Sequence, residues 1–403
     1  MLLEGVRVLE CASGHQGPVA CAMLGDLGAD VIKVENPVSG DRIRSMLTIR
    51  GVSTVLPGNR NFVFEYANRN KRGITLNLKK EKGREVLYRL VKKSDVFVNN
   101  FIKPDMEKLG LSYETLSQYN PQLIYAHGSS FGTEGPESEQ PGVDSTAVAY
   151  SGLMNAVGEP DMPPQMFVEA PADEAGSMVL AYGIMAALVG RERLGIGQKV
   201  EASLLSGLIT LQMLNLSAVL SLGQERPKQY RAKAPNPLVN HYQCSDGKWI
   251  RLAHMMVGRD LPEVFRVLGL EELVKDPRFE NTQAIEKNCE ELISILDKHF
   301  ATKTSAEWTA ILKQSGSVIY APVNSVSDLP TDPQVLANEY IVDFNHRVLG
   351  PVKMVGFPAN FSKTPGSIRR EAPEFGQHTE EVLLEVGEYT WDEIAELKEQ
   401  GVL

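Results

Sequence analysis

Cysteine is scarce in this chain: Cys11, Cys21, Cys244 and Cys289 are the only four in 403 residues. They form no Cys-x-x-Cys pair and no Cys/His spacing suited to zinc. The opening Met-Leu-Leu-Glu-Gly has neither a basic stretch nor a long apolar run. Few thiols behind such a start lead to the expectation of a reducing cytoplasm. Positive charge is also short. Lys and Arg total 41 against 51 Asp and Glu, a net charge of −10. That balance excludes general nucleic-acid binding and long-range attraction of polyanions, so an anionic ligand needs a local cluster of cations. The 7 histidines have no partner at metal-ligand spacing, and no metal is expected.

Several motifs are missing. A dinucleotide site would carry G-x-G-x-x-G after the first strand, but the chain has Gly14-His-Gln-Gly17 there, with no glycine triad and no P-loop elsewhere. Long apolar runs are rare too. Met178 to Val189 is too short to span a bilayer. Ala202 to Leu222 is long enough, yet Ser203, Ser206, Thr210, Gln212, Asn215 and Ser217 interrupt it. It reads as one buried or subunit-interface helix, and no membrane partner is expected.

What is present is alternation. β-type runs at Val6–Glu10, Asp30–Glu35, Gly73–Leu78, Asp95–Asn99 and Leu123–Ala126 are separated by helical patterns at Pro18–Leu27, Lys80–Lys93 and Pro104–Leu109. That order predicts βαβ units around a parallel sheet. A Gly/Pro/Glu-dense loop covers 131–142, and helices are expected over Ser177–Arg193 and Ala202–Leu222. Composition shifts near Gly223, and Ser-Asp-Gly-Lys between Val239–Cys244 and Trp249–Ala253 marks a hairpin. A smaller domain is expected at 225–325, with 1–224 as the large domain, to which 326–403 returns, including a helix over Thr379–Gln400.

Two local chemistries compete. Gly128-Ser-Ser-Phe-Gly132 matches G-x-S-x-G after a strand, but Thr133-Glu-Gly-Pro136 bars the helix that a nucleophile elbow requires, so Ser130 reads as part of a glycine-permitted loop. Basic residues gather near sheet ends: Arg42 and Arg44, Asn68-Arg-Asn-Lys-Arg72, Lys79, Lys103 and Lys108. As a rim they would suit a ligand with several phosphates.

The most specific segment is Ala172-Asp-Glu-Ala-Gly-Ser-Met-Val-Leu-Ala-Tyr-Gly183-Ile-Met-Ala-Ala-Leu188-Val-Gly-Arg191, followed by Gly195-Ile-Gly-Gln198 and a short β-type run. It resembles the core signature of the class III CoA-transferases, the CaiB/BaiF family. Leu3–Glu10 with Gly17-Pro18, Leu24–Glu35, Gly40-Asp41, Asn70–Lys79, Asp95–Phe101, Pro141–Asp144 and Gly376–Thr379 resemble the family in the same order, over nearly the whole chain.

The resemblance implies an α/β fold with a Rossmann-like large domain, a smaller α+β domain and an interlocked homodimer. It implies an enzyme that takes an acyl-CoA and a carboxylic acid as substrates, with coenzyme A as substrate rather than resident cofactor. It makes Asp173 the nucleophile, passing through an aspartyl–acyl anhydride and an aspartyl–CoA thioester. Read alone, Asp173 would be a helix cap. The resemblance also assigns contacts with CoA and the acyl group to His15, Gln16, Leu76, Asn77, Leu78, Lys79, Asn100, Phe101, Ile102, Lys108, Val143 and Asp144. The chain departs from the pattern in places. Asn36 stands where some members have an Arg and Lys108 where an Arg is frequent, Gly176 comes one residue early, and Glu174 beside Asp173 is unusual. No glycine-rich loop occurs around 225–245, which disfavours oxalate as acceptor. Val143 replaces the histidine of the racemase branch, which favours transfer over racemisation. The other readings are a CoA-dependent racemase and a non-catalytic CoA-binding subunit.

Overall fold

The computed structural model describes residues 1–403, which divide into two compact units. The first comprises Met1–Met154, Met166–Gln224 and Pro333–Leu403; the second comprises Asn155–Gln165 and Glu225–Asp332.

Six parallel strands organise the first unit: β1 (Arg7–Cys11), β2 (Asp30–Glu35), β3 (Lys71–Thr75), β4 (Val96–Asn99), β5 (Ile124–Ser129) and β6 (Gln198–Ser203). Their spatial order is β6-β5-β4-β1-β2-β3. The chain therefore builds outward from β1 in one direction and then, from β4, in the other. Between β1 and β4 the loops leave in opposite directions, and the carboxyl ends open a crevice. The four internal strands, β5, β4, β1 and β2, bury apolar side chains on both faces, as a sheet covered on both sides requires. One face packs Leu9, Ile32, Phe97 and Tyr125 under Leu87, Leu90 and the C-terminal Val382 and Ile394. The other packs Val8, Val31, Val98 and Ala126 against Leu24, Leu180 and Ile184.

The helices that frame the crevice are α1 (Gln16–Asp26), α2 (Phe62–Asn68), α3 (Lys103–Leu109), α4 (Asp144–Tyr150) and α5 (Pro171–Leu194). Helix α5 begins six positions before the expected Ser177, because Pro171 supplies a preset φ at its first turn. Asp173 thus lies inside that turn and not ahead of it. At 24 residues, α5 is long and apolar enough to cross a membrane, with half of that stretch buried in the unit.

Expectation and structure differ at 202–222. Gln198–Ser203 forms the edge strand β6, paired to β5 from Gln198↔Ile124 to Ser203↔Ser129. Ser203 then caps α6 (Leu204–Leu211) in a capping box with Ser206. A 75° bend separates α6 from α7 (Met213–Leu222). At the bend, the Gln212 Nε2 donates to the Ser151 and Leu208 carbonyls. The expected single C-terminal helix is also two, Thr379–Glu385 and Trp391–Glu399, because Thr390 starts a new capping box with Glu393.

The second unit carries an antiparallel sheet of His241–Gln243, Trp249–Leu252 and Tyr320–Val323. The Asp-Gly turn joins the first two, with Gly247 at φ +78°. Helices Val257–Leu268, Cys289–Phe300 and Ser305–Ser315 cover it through Tyr242, Phe265, Phe300 and Trp308.

Candidate active site

The crevice of the first unit holds a cavity of about 700 Å³. Its wall includes His15, Gln16, Asn100, Phe101, Ile102, Val143, Asp144 and Asp173 from the residues assigned by resemblance. Leu76, Asn77, Leu78, Lys79 and Lys108 form no part of that wall. Leu76 is buried in the core, and the Asn77 N–H is bound to the Val402 carbonyl. Sequence reasoning left Ser13, His127, Lys199 and Glu201 aside; all four line the cavity. The register could have found the last: His127 on β5 faces Glu201 on β6.

The rim of cations is mostly not a rim. Lys71 is fully buried against Glu10 at 2.6 Å, Arg69 binds Asp26, Arg72 binds Asp30, Glu381 and Glu385, and Arg44 binds Glu35. Each of these cations is neutralised within the fold. Arg42 and Lys103 line the cavity without an ion pair of their own.

Buried charge fixes the loop after β1. Lys33 contacts Glu10 at 2.9 Å and Asp41 at 2.8 Å, and it donates to the Ala12 carbonyl at 2.9 Å. Asp41 in turn accepts from the Ser13 hydroxyl and the Gly14 N–H. Burial pushes the Asp41 carboxyl up, but Lys33 and the backbone N–H of Ile43 outweigh it and bring it down to about 2. The Asn100 side chain clasps the same loop, accepting from Ser13 N–H at 3.0 Å and donating to the Ser13 carbonyl at 2.7 Å. His15 and Gln16 are thereby held at the switch point between β1 and β4.

Gln16 lies between two glycines. A Cβ on Gly128 would come within 2.6 Å of its Oε1, and one on Gly176 within 3.0 Å of its Nε2. Gly176 serves a second contact. A Cβ on Gly207 of α6 would sit 2.6 Å from the Gly176 nitrogen, so α5 and α6 cross almost backbone to backbone. The Gln16 side chain is buried and its Nε2 has no hydrogen-bond partner. A buried donor left unmatched is costly, and such groups point to a ligand.

The two adjacent acids of α5 differ sharply. Glu174 is engaged: His15 Nε2 lies 3.0 Å from its Oε1, and the Tyr66 hydroxyl donates to its Oε2 at 3.0 Å. Burial pushes Glu174 up, but the His15 and Tyr66 hydrogen bonds hold it below the ordinary range. No hydrogen bond reaches the Asp173 carboxylate, which lines the cavity. Its backbone N–H donates to Asp144 Oδ1 at 3.1 Å, beside that of Ala172 at 2.7 Å. Burial pushes the Asp173 carboxyl up to about 6, with the Asp144 and Glu174 charges adding to it and His15 and Arg42 opposing. At neutral pH it is ionised, more basic than an ordinary carboxylate and free of partners, as a nucleophile requires. Burial lowers His127 to about 4, so that imidazole is neutral.

Known proteins share the whole chain. The pattern described as CoA-transferase family III matches residues 3–379. The chain is 32% identical over 406 residues to (R)-2-hydroxy-4-methylpentanoate CoA-transferase of Clostridioides difficile, covering all of both chains. It is 33% identical to succinyl-CoA:glutarate CoA-transferase of Mus musculus, covering 100% of this chain and 90% of that protein. Among solved structures, it is similar to a CaiB/BaiF family protein from Brucella suis, with TM-score 0.82 and 31% identity over 95% of this chain and 99% of that one. The parallel sheet with its crevice and the match along the chain agree: this chain belongs to the class III CoA-transferases, the CaiB/BaiF family of enzymes.

Proposed function

We propose that this enzyme moves CoA from an acyl-CoA thioester to a carboxylic acid, with Asp173 as the covalent nucleophile. The observation that carries the reading is the contrast within α5: Glu174 is tied to His15 and Tyr66, while Asp173 opens into the cavity with no hydrogen bond on its carboxylate.

An Asp173 oxygen attacks the thioester carbonyl, the C–S bond breaks, and CoA leaves as thiolate. An acyl–aspartyl anhydride remains. The thiolate attacks the aspartyl carbonyl and releases the first acid, giving an aspartyl–CoA thioester. The acceptor carboxylate then attacks that thioester, and the returning thiolate completes the exchange. An ionised carboxylate needs no base to activate it. The buried Gln16 Nε2 offers an N–H to the oxyanion that develops. An anhydride also demands exclusion of water, a role open to the 131–142 loop, whose Thr133, Glu134 and Ser138 line the cavity. Val143 supplies no proton-transfer group, which supports transfer over racemisation.

Relatives act on hydroxy acids, such as cinnamoyl-CoA:phenyllactate CoA-transferase, and on dicarboxylates, such as succinate–glutarate CoA-transferase. Acids of those two classes are the acceptors to try. The functional form is a homodimer. Exposed apolar side chains on α5 to α7, among them Met178, Tyr182, Leu194, Leu214, Leu220 and Leu222, supply an apolar surface for a second copy.

Incubation with acyl-CoA, quenching in hydroxylamine and peptide mapping tests the reading. Modification at Asp173 is expected. A label on Glu174 or Ser130, or full turnover by Asp173→Ala, overturns it.

A further inference from the structure

His15, on the cavity wall, forms with Glu174 and Tyr66 a cluster of titratable side chains to which the transfer steps above give no part. His15 Nε2 is taken by Glu174 at 3.0 Å, and Tyr66 fixes the same carboxylate from α2. The Tyr66 ring also packs on the imidazole, 5.6 Å between centroids. The ring is therefore locked by its Nε2 side, and Nδ1, with no protein partner, is the nitrogen left for a ligand. The ring lines the same cavity as Asp173.

We propose that His15 is the cation that holds the sulfur of CoA as a thiolate while the acyl group rests on Asp173, with Glu174 and Tyr66 as its positioning residues. This rests on the reading of Asp173 as nucleophile. Charge bookkeeping supports it. As the Asp173 oxygen bonds to the acyl carbon, the C–S electron pair stays on sulfur. One negative charge disappears from the carboxylate and reappears on sulfur. A fixed imidazolium beside both meets one anion before the step and one after it, so no solvent must reorganise. No proton is transferred, and the thiolate remains ready to attack the anhydride.

The surroundings favour this imidazole over the other cations. Glu174 and Asp173 face it from α5, Asp144 from α4, and the neutral Tyr66 from α2. Burial works against the imidazolium, but these three carboxylates outweigh it, and His15 is held above the ordinary histidine range. Arg42, Lys103 and Lys199 are exposed and water-screened, whereas the His15 side chain is 16% exposed. His127 is uncharged at neutral pH, as its burial dictates. A thiolate beside an imidazolium is a stable ion pair at pH values where the free thiol keeps its proton.

The test uses the Asp173→Asn protein, whose amide is an uncharged stand-in for the acylated carboxylate. Free coenzyme A bound to it at neutral pH should show the ultraviolet absorbance of a thiolate, and the added change His15→Gln should abolish that band while CoA still binds. In the Asp173 enzyme, His15→Gln should lower kcat about 10²-fold and remove the basic limb of the pH profile. Glu174→Gln should move that limb to lower pH. A thiolate band that survives His15→Gln, or a basic limb unmoved by Glu174→Gln, overturns the proposal. Hydroxylamine labelling keeps the two readings apart: label at Asp173 with the band unchanged sinks only the role of His15, whereas no label at Asp173 sinks both.

Discussion

The Asp144 carboxylate accepts the backbone N–H of Asp173 at 3.1 Å and that of Ala172 at 2.7 Å, so the first turn of α5 is capped from the start of α4. The residue at the cap position itself, Ala170, has no side chain able to do this. One acid thus sets both the place and the basicity of the other. Asp144→Asn keeps an acceptor oxygen and removes the charge. The Asp144 charge raises the Asp173 pKa, so the acid limb of kcat/KM should move below its wild-type position near pH 6, with little change in stability. Asp144→Ala loses the acceptor as well and should cost about 1–3 kcal/mol in urea unfolding. An acid limb that stays put in Asp144→Asn would refute the electrostatic link.

The raised pKa of Asp173 has a stability consequence. Its folded value of about 6 lies above the ordinary 3.8. The folded state therefore binds a proton more tightly than the unfolded chain, and stability falls as pH rises from about 4 to 6. Above that window the ionised carboxylate is a standing cost. Asp173→Asn should then raise stability at pH 7 by about 1–2 kcal/mol, after allowance for solvent screening. Near pH 3 the gain should vanish. Equal effects at both pH values would mean that the burial of this carboxylate is not what shifts it.

How much of this was legible beforehand depends on what each residue's role rests on. Alternating short apolar runs and helical patterns carried the parallel sheet, because strand and helix periods are local. The G-I-x-A-A-L helix and its neighbours carried the family. The start of α5 was missed because its cap comes from Asp144, 29 residues away. The 198–222 segment was misread because a strand, a cap and a bent helix pair share one apolar composition. The basic cluster at 69–72 looked like a phosphate rim, since nothing local reveals that Asp26, Asp30, Glu10 and the Thr379–Glu385 helix neutralise it. The fates of Asp173 and Glu174 separate only through His15 and Tyr66, which lie 159 and 108 residues distant.

The ion cluster under the β1 loop should be unforgiving. Lys33 is fully buried between Glu10 and Asp41. Lys33→Met leaves Asp41 without its buried counter-ion and Glu10 with Lys71 alone, and should cost about 3–5 kcal/mol. Arg72→Met removes a cation with exposed partners in Glu381 and Glu385 and should cost less. Chemical denaturation of both variants decides the ranking, and equal losses would contradict it.

The glycine at 128 offers a way to disturb Gln16 without touching a charged group. Its φ is not in the left-handed region, so alanine is acceptable to the backbone there. The new methyl would lie 2.6 Å from Gln16 Oε1, and a flexible side chain can yield where backbone cannot. Gln16 should then swing its amide away from the position between Gly128 and Gly176, at a cost of about 1–3 kcal/mol. If that amide serves the oxyanion, Gly128→Ala should lose about 10²-fold in kcat with a smaller effect on KM. The comparison with Gly207→Ala sharpens this: there the methyl meets the Gly176 nitrogen at 2.6 Å, which cannot rotate aside. That variant should lose stability first, through the α5–α6 crossing. Steady-state kinetics beside thermal melting separates the two, and a Gly128→Ala enzyme with unchanged kcat would remove Gln16 from the chemistry.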